Sequence, residues 1–391
     1  MQNKADSLRW YEWFLSFRTH RRSLSGLLLI AMIMLGCRSE QTAHTRAPLP
    51  PNLQNLFAPP SQFAGEMGSF RSPLLFDSGE KVQNKKDWKK RAEEIRRKWH
   101  GLLGQWPDII EHPAVQYLDT VRRESMLQHR LKLEVAPGWT RDAILFIPEG
   151  DGPFPAALVV YYEPNTAAGL GKLTLRDFAY QLAKRGFVAL SLGSPYDSNY
   201  YPDSASATLQ PLSMLAYMAA NSYEMLAGLP YVDKDRIGVL GHSYGGKWAM
   251  FASCLYDKFA LGVWSDGGIV FDETRPNVNY WEPWYLGYDH NTWRTPGVIT
   301  DSSGRTGAYK KMIDTHTDLH ELHALMAPRP FLVSGGSEDP VSRWQALNHA
   351  VEVNRLLGYE NRVAMHNRPT HGPNQESNDV IYSFFEYFLK E

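Results

Sequence analysis

Near the middle of the chain lies the sequence Leu240-Gly241-His242-Ser243-Tyr244-Gly245-Gly246. A short apolar run, residues 236–240, comes before it and is typical of a buried strand, and residues 247–252 after it suit a buried helix. A serine between glycines at a strand-to-helix turn is the context of a nucleophile elbow, because the turn is too tight for side chains beside the serine. The motif therefore predicts Ser243 as a nucleophile, with the backbone N–H of Tyr244 directed at a developing oxyanion.

Two other classes of protein are excluded by the composition and by the same stretch. A phosphate-binding loop would need Ser or Thr after Lys247, and position 248 is Trp. The 41 basic and 42 acidic residues nearly cancel, and they form no long run of one sign. Neither a nucleotide cofactor nor a nucleic-acid partner is therefore expected.

Strands and helices alternate along most of the chain, which predicts parallel crossovers and a three-layer α/β/α sandwich. Strands are expected over residues 121–135, 143–148, 156–162, 187–192, 261–264, 331–334 and 362–365, with the first two antiparallel at the sheet edge. Helices are expected over residues 175–185, 211–226, 342–357 and 380–389.

A nucleophilic serine needs a base and a carboxylate, which in this order of elements follow it as acid and then histidine. Asp339 comes after strand 331–334 through an open Gly-Gly turn, and His371 comes after the last strand. We therefore expect Ser243, Asp339 and His371 to form a catalytic triad, with His366 as the runner-up base. The second oxyanion donor is expected to be the N–H of Glu163, with that of Tyr162 as the alternative.

The N-terminus is typical of an exported bacterial protein. Arginines precede an apolar run, residues 27–35, which ends at Gly36-Cys37. This predicts a lipoprotein-type signal peptide over residues 1–37 with lipidated Cys37 as the membrane anchor, or alternatively an ordinary secretory signal and a periplasmic or secreted enzyme. Residues 38–72 are polar and proline-rich, and we expect them to be a disordered tether. Residues 73–391 form the expected catalytic domain, with an amphipathic helix over residues 84–103.

The catalytic domain resembles bacterial glucuronoyl esterases and related acetyl xylan esterase and dienelactone hydrolase-like proteins, which have the α/β-hydrolase fold. The most specific match is the run of residues 318–330, and Glu80-Lys81-Val82 is similar to the start of that group's N-terminal helix. The resemblance implies that Lys247 contacts sugar hydroxyls, and it raises Asp266 as an alternative acid. One departure is Tyr244, where that group usually has an arginine that helps to hold the oxyanion, which weakens the case for uronate esters specifically.

An aromatic-rich insertion, residues 267–316, follows a strand end and is expected to overhang the active site as a lid. Trp281 and Trp284 within it are expected to stack on sugar rings. His320 and His323 have the spacing of a metal pair, but without a third ligand a structural role is expected, and no metal or other cofactor is predicted.

These features favour an exported serine carboxylic-ester hydrolase acting on carbohydrate esters, either uronate or acetyl esters. One alternative is a serine peptidase of the prolyl-oligopeptidase type, although the chain has no room for a β-propeller before the catalytic domain. Another is a non-catalytic surface lipoprotein that binds carbohydrate.

Overall fold

The computed structural model describes residues 47–194, 208–275, 305 and 307–390. Within these residues nine strands form one sheet in the order β1-β2-β3-β5-β4-β6-β7-β8-β9. The strands are β1 Val115–Arg123, β2 Met126–Ala136, β3 Trp139–Pro148, β4 Phe154–Tyr161, β5 Val188–Gly193, β6 Val232–His242, β7 Leu261–Ser265, β8 Phe331–Gly335 and β9 Val363–Asn367. The helices are α1 Lys85–Leu103, α2 Pro164–Ala167, α3 Phe178–Lys184, α4 Pro211–Ala227, α5 Tyr244–Leu255, α6 Gly307–Asp314, α7 His320–Leu325, α8 Trp344–Leu357 and α9 Gln375–Leu389.

The predicted three-layer α/β/α architecture is confirmed. β4 pairs in parallel with β5 and β6, and the parallel pairing continues through β7 and β8 to β9, while β1, β2 and β3 pair antiparallel at one edge. The parallel strands are buried almost throughout, as expected where helices cover both faces of a sheet. Two apolar cores result, one on each face. The carboxyl ends of β4 to β9 therefore meet at one edge, which is where loops can converge on a site.

Two of the expected elements differ from those observed. The single strand predicted over residues 121–135 is two antiparallel strands, β1 and β2, joined at Glu124, whose φ of 53° makes the reversal. The helix predicted over residues 175–185 begins only at Phe178. In both cases a single residue in left-handed backbone geometry lies where the predicted element is interrupted, and Leu175 with a φ of 60° is that residue in the second case.

The helix predicted over residues 84–103 is confirmed as α1. The side chain of Asn84 accepts the N–H groups of Lys86 and Asp87, which defines where the helix begins. Trp88, Ile95 and Trp99 face the core, as their helical spacing predicts.

The disordered tether predicted over residues 38–72 is wrong for the part that the structure describes. Leu53 is fully buried against the aromatic face of α9. The N–H of Met365 in edge strand β9 donates to the carbonyl of Leu56 at 2.8 Å, and the hydroxyl of Tyr387 donates to the carbonyl of Ala47 at 3.0 Å. The segment forms turns and one short 3-10 helix, Ser61–Phe63, and its scattered apolar side chains still bury surface, which composition alone does not reveal.

This docking predicts that Leu53→Ala destabilises the domain. Removal of a fully buried leucine side chain should lower the free energy of unfolding by about 3 kcal/mol. Leu170→Ala is the matched control, because Leu170 is 47% exposed and its truncation should cost less than about 0.5 kcal/mol. Urea denaturation followed by circular dichroism measures both, and equal midpoints for the two variants would contradict the docked segment.

None of the helices in the described part of the chain is long and apolar enough to cross a bilayer. The apolar run before Cys37, and Cys37 itself, lie outside the described residues, so the signal-peptide and lipidation predictions stay predictions.

Candidate active site

Ser243 occupies a strained turn between β6 and α5. Its φ of 59° and ψ of −124° lie in a region that non-glycine residues rarely adopt. A Cβ at Gly241 would stand 1.9 Å from the carbonyl oxygen of Gly245, and a Cβ at Gly245 would stand 2.2 Å from the carbonyl oxygen of Val160 in β4. The glycines thus make the sharp turn possible, as the elbow motif predicts.

Ser243, His371 and Asp266 form a continuous chain of hydrogen bonds. The hydroxyl oxygen of Ser243 is 2.8 Å from Nε2 of His371, and Nδ1 of His371 is 2.7 Å from Oδ2 of Asp266. The imidazole is 38% exposed, whereas the Asp266 carboxylate is fully buried. The hydroxyl, imidazole and carboxylate are therefore within hydrogen-bond reach of one another, as a nucleophile, its base and an orienting acid need to be.

The carboxylate beside His371 is therefore that of Asp266, the alternative acid, and the expected contact with Asp339 is wrong. Oδ1 of Asp266 accepts the N–H groups of Gly336 at 2.6 Å, Asp339 at 2.9 Å and Glu338 at 3.1 Å. These bonds leave Oδ2 directed at the imidazole. The loop after β8 thus supplies main-chain donors to the acid, not the acid itself.

The Gly335-Gly336 turn explains the misassignment. An open turn before Asp339 suggests that the chain bends there to carry a carboxylate to the histidine. A Cβ at Gly336 would instead stand 2.7 Å from Oδ2 of Asp266 and 2.3 Å from the carbonyl oxygen of Thr370. The glycine makes room for a carboxylate that arrives from β7, and sequence alone cannot distinguish these two uses.

Asp339 holds the loop that follows Asp266. Its Oδ2 accepts the N–H of Gly268 at 2.8 Å and its Oδ1 accepts that of Ile269 at 2.7 Å. Burial raises the pKa of Asp339 to about 6, and the neighbouring charge of Asp266 adds to the shift. The two aspartates therefore lock their loops reciprocally, each carboxylate binding main-chain N–H groups of the other's loop.

Lys247 also supports this loop. Its side chain is fully buried, and Nζ donates to the carbonyl of Gly268. Burial lowers the pKa of Lys247 to about 7, against the opposing influence of the Asp339 and Asp318 carboxylates. The amino group is thus buried and bound to the protein itself, and the contact with sugar hydroxyls implied by the family resemblance stays a prediction.

The expected oxyanion donors lie on either side of the elbow. Tyr244 is the first residue of α5, so its N–H points out of the helix N-terminus. Glu163 follows β4 and caps α2, its carboxylate accepting the N–H groups of Asn165 and Thr166. The rings of Tyr162 and Tyr244 are 5.4 Å apart, which places the loop after β4 beside the elbow. The assignment of an oxyanion site to these N–H groups stays a prediction.

Comparison with known proteins gives matches only at the level of structure. No protein-family model matches the chain, and no curated protein matches it. A glucuronoyl esterase from Solibacter usitatus superimposes with a TM-score of 0.64 at 16% identity, over 82% of this chain and 97% of that one. A promiscuous CE15 esterase from a marine bacterial metagenome gives 0.62 at 19% identity, over 82% and 97%. A carbohydrate esterase family 15 glucuronoyl esterase from Caldicellulosiruptor kristjansonii gives 0.59 at 21% identity, over 83% and 91%.

The chain has the α/β-hydrolase fold. The expected resemblance to glucuronoyl esterases is thereby confirmed as a likeness of fold. In the terms of this fold, Ser243 lies at the elbow after β6, Asp266 after β7 and His371 after β9. In the sheet β6 and β7 are adjacent and β8 separates β7 from β9, so the three residues follow strands that end close together at the carboxyl edge.

Contacts join residues near the beginning and near the end of the aromatic insertion. The guanidinium of Arg305 donates to both carboxylate oxygens of Glu273, at 2.5 and 2.6 Å, and the hydroxyl of Tyr309 donates to the same carboxylate at 2.8 Å. Trp281 and Trp284 lie outside the described residues, so their contact with sugar stays a prediction.

Three other histidines of the described residues, His242, His366 and His320, have polar groups of the protein beside them. Nδ1 of His242 lies 3.1 Å from the hydroxyl oxygen of Ser265, and burial holds the pKa of His242 well below its usual value. His366, the runner-up base, lies 3.7 Å from Glu376. His320 donates to the carbonyl of Arg71 at 2.6 Å. Across the described residues no three His, Cys, Asp or Glu side chains gather as a metal site would require.

Two arginines near the triad were missed by sequence reasoning. Arg368 is 2% exposed and binds the loop that carries His371. The guanidinium of Arg176 lies near the Tyr161 phenol, and its Nη2 is 3.5 Å from where a Cβ of Gly372 would stand. The signal for Arg368 was its position just before His371, whereas Arg176 precedes the histidine by almost two hundred positions and has no such signal.

Proposed function

We propose that this protein is a serine carboxylic-ester hydrolase that acts on esters of carbohydrates. The observation that carries the proposal is the chain of two hydrogen bonds, 2.8 and 2.7 Å long, that joins Ser243 to His371 and His371 to Asp266. A strained elbow serine bonded to a histidine that a buried carboxylate orients is the arrangement that acyl transfer requires.

The proposed reaction proceeds through an acyl-enzyme. Nε2 of His371 takes the proton of the Ser243 hydroxyl as the oxygen attacks the ester carbonyl carbon, and Asp266 stabilises the imidazolium that forms. The negative oxygen of the tetrahedral intermediate is held by the N–H groups of Tyr244 and Glu163. His371 then gives the proton to the departing alcohol. A water molecule, deprotonated by His371, releases the acid and restores the Ser243 hydroxyl.

Two observations favour a uronic acid as the acyl group. Several proteins of similar fold are named glucuronoyl esterases, and we propose uronate esters as the substrates of this chain as well. Arg176 places a cation close to the loop of His371, and no carboxylate forms an ion pair with it among the described residues. We propose that its guanidinium faces the ester group and binds the carboxylate of the released acid.

The substrate class is tested with a panel of four compounds: methyl glucuronate, an acetylated xylo-oligosaccharide, 4-nitrophenyl acetate and a prolyl 4-nitroanilide. We expect kcat/KM for a sugar ester to exceed that for 4-nitrophenyl acetate at least about tenfold, because sugar contacts contribute binding energy in the transition state. Efficient cleavage of the prolyl amide, with sugar esters no better than 4-nitrophenyl acetate, would favour a peptidase instead.

Arg176→Met tests the acyl group separately. Loss of the cation should weaken inhibition by the product glucuronate about tenfold, equivalent to about 1.4 kcal/mol, and leave inhibition by glucose unchanged. Lys172→Met is the matched control, since Lys172 is an exposed cation of the same loop. Unaltered glucuronate inhibition in Arg176→Met would show that this guanidinium does not bind the acid.

We further propose that the protein is exported and anchored through lipid on Cys37. The basic residues, short apolar run and small residue before Cys37 support this. Full-length protein expressed in a bacterium should fractionate with membranes, and Cys37→Ser should release or mislocalise it, whereas Cys254→Ala should not. Wild-type protein recovered soluble from the periplasm, with an N-terminus beyond Cys37, would leave only the secretory alternative.

A further inference from the structure

Arg368 is a buried cation next to the triad that the reaction described above does not use. It follows β9 directly and precedes His371 by three residues, and only 2% of its surface is exposed. Burial lowers the pKa of Arg368, and the nearby carboxylates of Asp266 and Asp339 oppose the shift. No carboxylate oxygen lies within ion-pair distance of its guanidinium in the part of the chain that the structure describes.

The guanidinium binds main-chain carbonyls on the histidine loop. Nη2 donates to the carbonyl of His371 itself at 2.8 Å, and Nε donates to the carbonyl of Gly372 at 2.8 Å. These two bonds hold the backbone on which the imidazole is carried.

The other side of the same guanidinium binds the end of the sheet. Nη1 donates to the carbonyl and the hydroxyl of Ser334 at 2.7 and 3.0 Å and to the carbonyl of Gly335 at 3.3 Å. Nη2 also reaches the hydroxyl of Ser265 at 3.4 Å, one residue before Asp266. The planar fork thus joins the histidine loop to the ends of β8 and β7.

The histidine needs such support because its own ring is poorly enclosed. The His371 side chain is 38% exposed, so packing holds it on part of its surface only. Its two ring nitrogens must nevertheless remain 2.8 Å from Ser243 and 2.7 Å from Asp266. A displacement of about 1 Å in such a group costs roughly a hundredfold in rate.

We propose that Arg368 is the positioning residue of the catalytic histidine, in that its guanidinium fixes the His371 main chain relative to Asp266 and Ser243. This inference rests on the proposed triad. Lysine cannot replace the arginine, because an ammonium group lacks the planar fork that reaches both the loop and the strand ends.

The test compares Arg368→Lys and Arg368→Met with Arg329→Met. Arg329 is the matched control, because its guanidinium likewise donates to main-chain carbonyls, those of Ser253, Phe259 and Leu325, but before β8, at the opposite end of the strand from the triad. Both Arg368 variants should lose about a hundredfold in kcat on an ester of the panel with KM within about twofold of wild type. Arg329→Met should lose stability but retain kcat.

Rescue gives a readout that a structural role would not move. Millimolar guanidinium chloride, far below denaturing concentration, should restore part of the kcat of Arg368→Ala and none of that of Arg368→Met, whose side chain fills the space. A folded Arg368→Lys or Arg368→Met variant with kcat within threefold of wild type would overturn the inference. Equal losses of kcat in Arg368→Lys and Arg329→Met would also overturn it. A wild-type protein that turns over no ester and whose Ser243 reacts with no serine-directed phosphonate would instead refute the proposed function itself.

Discussion

Asp266→Asn should reduce kcat about ten-thousandfold with little change in KM, the size of loss seen when a triad carboxylate becomes an amide. The asparagine can place an amide N–H where Nδ1 of His371 now meets Oδ2 at 2.7 Å, which favours the wrong tautomer of the ring. Steady-state kinetics on an activated ester measure the loss. Circular dichroism should show an intact fold, because the main-chain N–H groups of Gly336, Glu338 and Asp339 retain an acceptor.

Asp339→Asn is the matched control for that prediction. Its carboxylate binds the N–H groups of Gly268 and Ile269 and does not contact the imidazole. An asparagine keeps one acceptor and loses the other, so the loop after Asp266 should loosen and kcat should fall only about tenfold. A crippled Asp339→Asn beside a near-normal Asp266→Asn would show that the acid follows β8 in the working enzyme.

Ser243→Ala should remove the enzymatic rate almost completely, by about a millionfold in kcat. Alanine takes away the attacking oxygen and leaves the 2.8 Å contact of His371 without its partner. Ser253→Ala is the control, because the hydroxyl of Ser253 is buried in α5 and donates to the carbonyl of Ala249. Undiminished ester turnover in Ser243→Ala would contradict the proposed mechanism.

The parts of the site that could be predicted from sequence are those governed by local sterics. A side chain in place of Gly241 or Gly245 would clash with main-chain atoms at the turn, and the part of β6 from Ile237 onward and all of α5 are buried. His371 follows from the order of elements, since the last strand must end at the same edge as the elbow.

The parts of the site that could not be predicted from sequence depend on which of two neighbouring loops supplies the carboxylate beside His371. Asp266 and Asp339 both follow parallel strands, and the choice between them is made by Gly336, whose missing side chain admits the Asp266 carboxylate. Lys247 lies on α5, and from the sequence its amino group could donate a hydrogen bond either to a sugar hydroxyl or to a main-chain carbonyl. In the structure it donates to the carbonyl of Gly268. The segment with Leu53 lacks any periodicity, because it binds to α9 and β9 as a series of turns.

The central claim is that Ser243 is the nucleophile of an ester hydrolase, activated by His371 and Asp266. Its most direct test is reaction with a serine-directed phosphonate followed by peptide mass spectrometry. We expect one adduct, on Ser243, formed at a rate that Asp266→Asn lowers far more than Asp339→Asn. No adduct, or an adduct on another residue with Ser243 unmodified, would contradict it.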